Sequence, residues 1–335
     1  MITAKDAVEF HEPSAEDDNM HWAETNFFGF YNSKEKLTVG VYQIFRKQLN
    51  IVLSNVWVAK GFGKDPSECL FNDFRVHMPL PKDATLGDYT LANGLHVKAL
   101  NPPMDYDIQY TSEDGECVLD VQYEGLMPPY DIADPNMDPM TAKRTQDHLA
   151  KAQGFGTAYN GHLDQSGRYT GKMILRGKEY EFNEISTMDH SWGPRPEFDS
   201  HNMTWGHVHA EPDFAIHTIF QIDPIKDPVN YGELAHGYVM EGGKCYGLVD
   251  GKGRAIKREG YQQKEIEVEV VDIRQKTYSY KGRALTSYPW LAWPSVCGYQ
   301  SLNEVTLNDG RKAYGECQDF LSMPYMTRPD RPTYG

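Results

Sequence analysis

LTVGVYQIFR-KQLN-IVLSNVWVAK, residues Leu37 to Lys60, decides the fold class. Both flanks are rich in Val, Ile, Tyr, Phe and Trp, side chains that fit a pleated, half-buried surface. Lys47–Asn50 interrupts the run as a turn does, so the stretch predicts two strands joined by a hairpin. The same pattern continues outward. Between Asp88 and Gly125 come the short alternating runs YTL, LHVKAL, YDIQY and CVLDVQY. Asn93-Gly94 and Asp114-Gly115 separate such runs, and both dipeptides reach positive φ at little steric cost. Further hairpins read at Arg176–Lys178, Glu241–Lys244 and Asn308–Arg311. Strands spaced roughly 8–12 residues apart with glycine turns predict an all-β antiparallel barrel or sandwich.

One segment departs from this pattern. Met140–Gln153 (MTAKRTQDHLAKAQ) is rich in helix formers, with Thr141 placed to cap it. The loop before it holds Pro128, Pro129, Pro135 and Pro139, which central strands exclude. The run Asp189–Pro196 (DHSWGPRP) reads as a turn, and the strand pattern restarts beyond it. Two β domains follow, residues 1–190 and 191–335.

The chain has 335 residues and a formal net charge of −15, from 48 acidic and 33 basic side chains. Such a surface repels phosphate backbones and anionic lipid, which excludes nucleic acid as a partner. No run approaches the roughly 18 apolar residues of a spanning helix, so no membrane insertion is expected. The N-terminus lacks the basic and apolar regions of a secretory signal. Its five cysteines are odd in number and scattered, without a C-x-x-C pair. This disfavours a disulfide framework or zinc knuckle and fits reduced thiols in the cytoplasm. Tyrosines number 21 against 14 Phe, an excess that suggests a greasy pocket able to hydrogen-bond. A homo-oligomer is compatible with the sequence but nothing in it specifies one.

The densest group of functional side chains is Asp189, His190, Ser191, Trp192 and Arg195. Asp189 suits a general acid or base if an apolar setting raises its pKa. Arg195 suits a carboxylate partner or substrate clamp, and Trp192 offers a π face. The alternative is a structural corner capped by Asp189, bridged by Arg195 and plugged by Trp192. In the next strand, period two puts Trp205, His207 and His209 on one face, with Thr204, Gly206 and Val208 opposite. An H-x-H pair suits a metal, the lining of an aromatic cavity or plain structure, and no third donor sits at a diagnostic spacing. His162 with Asp164, and Arg75 with His77, likewise share strand faces and are candidates to line a ligand cavity. Cys317 is the thiol considered as a nucleophile. Signatures of phosphate-binding loops, dinucleotide folds, metalloproteases and nucleophile elbows are absent, so neither cofactor nor metal is assigned.

The segment H-x-D-Q-S-G-R-Y-x-G from His162, then M-D-H-S-W-G-P-R-P, then W-G-H-V-H resembles the carotenoid hydratase and AttH-like superfamily. Similarity extends through N-D-F-R-V-H-M-P-L-P, A-N-G-L-H-V-K-A-L and a late Y-G-E, from about Trp22 to Gln318. The resemblance implies two lipocalin-like antiparallel β-barrel domains packed together, with few helices and a hydrophobic pocket at or near their interface. It also implies water addition to isoprenoid double bonds or related chemistry, with Asp189 at the position of the acid that protonates the alkene. A carotenoid substrate is not carried over.

The expected function is a cofactor-independent acid–base enzyme, a hydratase, dehydratase, isomerase or related lyase. Its substrate is a hydrophobic small molecule such as a terpenoid, steroid-like or aromatic compound. Asp189 transfers the proton, and His190 or His207 orients it or serves as a second acid–base group. Arg195 sets the local charge. Trp192, Trp205, His209, His77, Arg75 and His162 bind substrate. The rival reading is a non-catalytic carrier of a lipid, terpenoid or steroid.

Overall fold

The computed structural model describes residues 2–14, 20–141, 160–195, 202–211, 213–293 and 295–332. Contacts divide the chain into two compact units. The first holds Met1–Val58, Leu70–Ala133 and Gly156–Arg195; the second holds Ala59–Cys69, Asp134–Phe155 and Pro196–Gly335. Both are built almost wholly of strands, the fold class read from the sequence.

The first unit opens with helix α1 (Ala4–Val8) and continues through β1 (Trp22–Asn32), β2 (Leu37–Arg46), β3 (Ile51–Lys60) and β4 (Phe71–Pro79). Then come β5 (Asp88–Thr90), β6 (Leu95–Asn101), β7 (Asp105–Thr111), β8 (Cys117–Gly125) and the two-residue β9 (Tyr130–Asp131). It ends with the long hairpin of β10 (Gly161–Leu175) and β11 (Lys178–Pro194). Strand order is β4-β3-β2-β1-β11-β10-β8-β7-β6-β5, with β9 on β10, and the sheet curls into a half-barrel. The glycines and Asn50 of the predicted turns take the positive φ they tolerate best, and Arg176 shares it with Gly177. Lys47–Leu49 forms one 3-10 turn closed by Asn50 at φ 56°, Gly94 and Gly115 sit at φ 87° and 72°, and Arg176-Gly177 at 50° and 79°. One sheet face buries Phe28, Phe30, Val39, Val41, Val97, Ile108, Leu119 and Val121 as the core.

The second unit is a closed eight-stranded barrel. Its strands are β12 (Met203–Ala210), β13 (Phe214–Gln221), β14 (Leu234–Glu241), β15 (Lys244–Glu259), β16 (Gln262–Asp272), β17 (Thr277–Trp293), β18 (Val296–Leu307) and β19 (Lys312–Ser322), followed by helix α2 (Met323–Met326). β12 pairs with β19 to close the ring. At about eight strands a barrel interior is just wide enough for its own side chains to fill. Val208, Ile216, Phe220, Val239, Leu248, Val268 and Val305 do so here. The Arg258 guanidinium donates to Asp319 Oδ2 at 2.6 Å and the Tyr231 hydroxyl to Gln263 Oε1 at 2.7 Å, a buried polar group beside that core.

One sequence expectation changes. The DHSWGP run is strand rather than turn: β11 continues through it, and Pro194 falls at the last ladder position, where a missing N–H is tolerated. Of the predicted helix Met140–Gln153, residues 142–153 lie outside the described residues, and Thr141 alone has helical assignment there. Several tyrosines pack in the cores. Tyr31, Tyr123, Tyr169 and Tyr288 are buried and donate to the backbone carbonyls of Ile185, Gln165, Thr187 and Pro66. Among the described residues no helix is long and apolar enough to cross a membrane, and no disulfide joins the five cysteines.

Candidate functional site

The tight turn at Arg176-Gly177 determines everything along the β10–β11 hairpin. Leu175 pairs with Lys178, and counting outward brings Asp164 opposite Asp189 and His162 opposite Ser191. On the other side of β11, β1 adds Phe27 opposite Asp189 and Thr25 opposite Ser191. Cross-strand partners share a face, so Asp189, Asp164, His162, Ser191 and Thr25 stand together. His190 faces the other way, in line with Leu163 and Asn26, and Trp192 with Gly161 and Glu24. The alternation of the strand thus separates Asp189 from His190 and puts His162 on the Asp189 face.

On the acid face, His162 Nε2 lies 3.1 Å from Asp164 Oδ2, with His162 6% and Asp164 0% exposed. One donor atom each of His162, Asp164 and Asp189 falls within 4.8 Å of the other two. Asp189 alone of the three is partly exposed. Burial pushes its carboxyl up to about 7, the Asp164 charge adds to this, and His162 and Arg195 oppose it. Burial pulls the His162 pKa down, yet the Asp164 carboxylate outweighs it and holds the imidazolium form above its ordinary range. Arg195 is buried and donates from Nη2 to Ser191 Oγ at 2.6 Å, while Thr25 Oγ1 lies 2.9 Å from the same hydroxyl. A partly exposed carboxyl, a buried charged pair behind it and a hydrogen-bonded hydroxyl beside it make an arrangement able to serve as a general acid.

On the opposite face, His190 Nδ1–H donates to the Thr25 carbonyl at 2.7 Å, and burial lowers its pKa to about 3, so it is neutral. Trp192 stacks on His11, ring centroids 3.7 Å apart and planes within 6°. It fits because residue 161 is glycine: a Cβ there would lie 2.0 Å from the indole.

Arg75 and His77 are exposed on the edge strand β4, where a bulge breaks their shared face. His77 adopts φ 57°, and Arg75 engages Asp73 at 2.5 Å and Glu113 at 3.4 Å. They line no part of the Asp189 group. In the second unit, Trp205, His207 and His209 share the face their spacing predicts, opposite the barrel core. There His207 Nδ1 lies 3.2 Å from His217 Nδ1, and Trp205 meets the His207 ring edge-on at 3.8 Å. Burial lowers His209 to about 3. Burial pushes the Cys317 thiol up to about 12, with Asp319 adding to it, which leaves no thiolate for nucleophilic attack. Sequence reading passed over Glu24 and His11. The signal for Glu24 was present: one carboxylate inside the otherwise apolar and neutral run WAETNFFGFYN.

The profile described as "Domain of unknown function (DUF7064)" matches residues 5–319. The chain belongs to the DUF7064 family. No curated protein matches it in sequence. Among solved structures, this DUF7064 chain is similar to kievitone hydratase from Nectria haematococca, with a TM-score of 0.57 and 10% identity over 91% of this chain and 89% of that one. It is also similar to a putative AttH from Nitrosomonas europaea, with a TM-score of 0.56 and 10% identity over 90% and 92% of the two chains. The DUF7064 protein therefore has the AttH-like fold that its D-H-S-W-G-P-R segment implied.

Proposed function

We propose that this DUF7064 protein is a hydro-lyase, a hydratase or dehydratase that needs no cofactor and acts on a hydrophobic small molecule. One observation carries the reading: Asp189 is a partly exposed carboxyl set against a buried His162–Asp164 pair at the end of three paired strands. In the hydration direction, the Asp189 carboxylic acid gives its proton to one alkene carbon, forming a C–H bond. Positive charge develops on the neighbouring carbon, water adds there, and the proton that water loses returns to the Asp189 carboxylate. Dehydration is the reverse. His162 and Asp164 position the acid, and Arg195 holds Ser191 beside it as a polar contact for substrate oxygen. The hydratase named among the structural neighbours supports the reaction class. Convergence of three ionisable groups also favours an enzyme over a carrier, which needs an apolar pocket with one or two neutral anchors.

The test begins with ligand extracted from the purified protein and identified by mass spectrometry. That compound and prenylated or terpenoid alkenes are then incubated in H2-18O with wild type and Asp189→Asn. Incorporation of one 18O atom by wild type, lowered about 10²–10⁴-fold in the variant, is expected. Equal incorporation by the two proteins would overturn the assignment.

A further inference from the structure

The face of β1, β10 and β11 that turns away from Asp189 has its own convergent group. Donor atoms of His11, Glu24 and His190 all lie within 4.8 Å of one another. His11 Nδ1 is 3.3 Å and His190 Nε2 3.6 Å from Glu24 Oε2. Ligands held about 2.0–2.1 Å from a tetrahedral zinc ion stand about 3.3–3.4 Å apart, so these two edges already have nearly the right length.

The far side of each ring is equally informative. His190 Nδ1–H donates to the Thr25 carbonyl at 2.7 Å, and His11 Nε2 meets Asp6 Oδ1 at 3.1 Å. Metal-bound imidazoles have this arrangement, in which the remote nitrogen donates to a carbonyl or carboxylate and so aims the other at the ion. Glu24 Oε1 accepts from the His11 backbone N–H at 2.5 Å, which leaves Oε2 turned toward the two rings. Trp192, stacked on His11, sets the plane of that ring.

The decisive atom is His190 Nε2. The residue is 2% exposed, and this nitrogen has no hydrogen-bond partner. At 3.6 Å the Glu24 oxygen is too distant for a hydrogen bond. A simple His11 ion pair with Glu24 and Asp6 leaves the buried lone pair of His190 unused, whereas an ion among the three residues uses it.

We propose that His11, Glu24 and His190 form a site for a divalent first-row transition ion of the zinc type. Two imidazole nitrogens and one carboxylate oxygen suit such borderline ions better than calcium or magnesium, which prefer all-oxygen shells. Two ligands come from the sheet and one from the N-terminal segment. Loading therefore ties that segment to β1 and β11, on the face away from the acid.

Full-length protein stripped with EDTA is titrated with Zn2+ while thermal unfolding is followed, and with Co2+ while visible d–d absorption is followed. Wild type is expected to bind one equivalent with a rise in Tm. His11→Ala, which alters only the segment ahead of β1, is expected to keep its circular dichroism spectrum and lose both the Tm rise and the Co2+ band. Asp6→Asn, which removes an outer partner and no ligand, is expected to weaken binding about 10–100-fold. Absence of a Zn2+-induced Tm shift in wild type overturns the site. Undiminished binding by His11→Ala overturns it too, by placing the ion elsewhere.

Discussion

Replacing Asp189 by Asn should stabilise this protein at alkaline pH while disabling it. The carboxyl ionises near 3.8 when exposed and near 7 in the fold, because burial and the Asp164 charge disfavour the anion. The sign follows by linkage. The folded state holds this proton more tightly than the unfolded chain, so stability falls as pH rises from about 4 to about 7 and stays reduced above it. Each pK unit is about 1.4 kcal/mol, so a shift of about three units sets a ceiling of about 4 kcal/mol. Partial exposure of Asp189 admits water, and about 2–3 kcal/mol is the working figure. Asn has nearly the same shape without the ionisation. Urea denaturation of wild type and Asp189→Asn at about pH 5 and about pH 8 measures the difference. The variant's gain over wild type should be larger at pH 8 by about 2 kcal/mol. Equal differences at the two pH values would refute the claim that burial disfavours the Asp189 anion.

Other outcomes follow from the same geometry. If protonated Asp189 is the donor, kcat should decline as pH rises through about 7, and a rate flat to pH 9 in the hydration assay would exclude it as the acid. His162→Ala leaves the Asp164 carboxylate buried without its partner and should cost about 3–5 kcal/mol in chemical denaturation; a loss under about 1 would show that the pair is not coupled. Gly161→Ala puts a methyl group into the Trp192 indole and should cost about 1–3 kcal/mol and alter tryptophan fluorescence, whereas an unchanged emission spectrum would show that Trp192 does not need the gap. Tyr169→Phe removes a 2.7 Å bond to the Thr187 carbonyl and should cost about 1 kcal/mol, measured by the same urea midpoint.

Much of this was legible in the sequence because it is local. The Leu37–Lys60 hairpin and the glycine turns depend on residues adjacent in the chain, and each adopts the φ its residue type favours. The pairing of Asp164 with Asp189 was also within reach, since a two-residue turn at Arg176-Gly177 specifies every partner along the hairpin. Long-range pairing was not. Nothing local says that Trp22–Asn32 inserts between β2 and β11, and that insertion is what brings Thr25 to Ser191 and Glu24 to His190. The DHSWGPRP run misled for a physical reason: two prolines and a glycine in eight residues signal a turn, yet the first proline falls where a ladder ends. Arg75 and His77 failed as a pair because a bulge in β4 broke the alternation that seemed to join them.

The two-faced use of β11 limits how the gene can change. Inserting a single codon between Ile185 and Asp189 would move Asp189 and His190 each to the opposite face of the sheet, presenting an imidazole to the His162–Asp164 pair and a carboxylate to Glu24 and His11. A length change of two residues would restore the parity but shift each side chain one ladder step along. Descendants of this chain can therefore vary in the lengths of their other turns while the Arg176-Gly177 turn is kept and β1, β10 and β11 stay in step as a group, and a frame of three strands becomes the unit that evolution must copy whole.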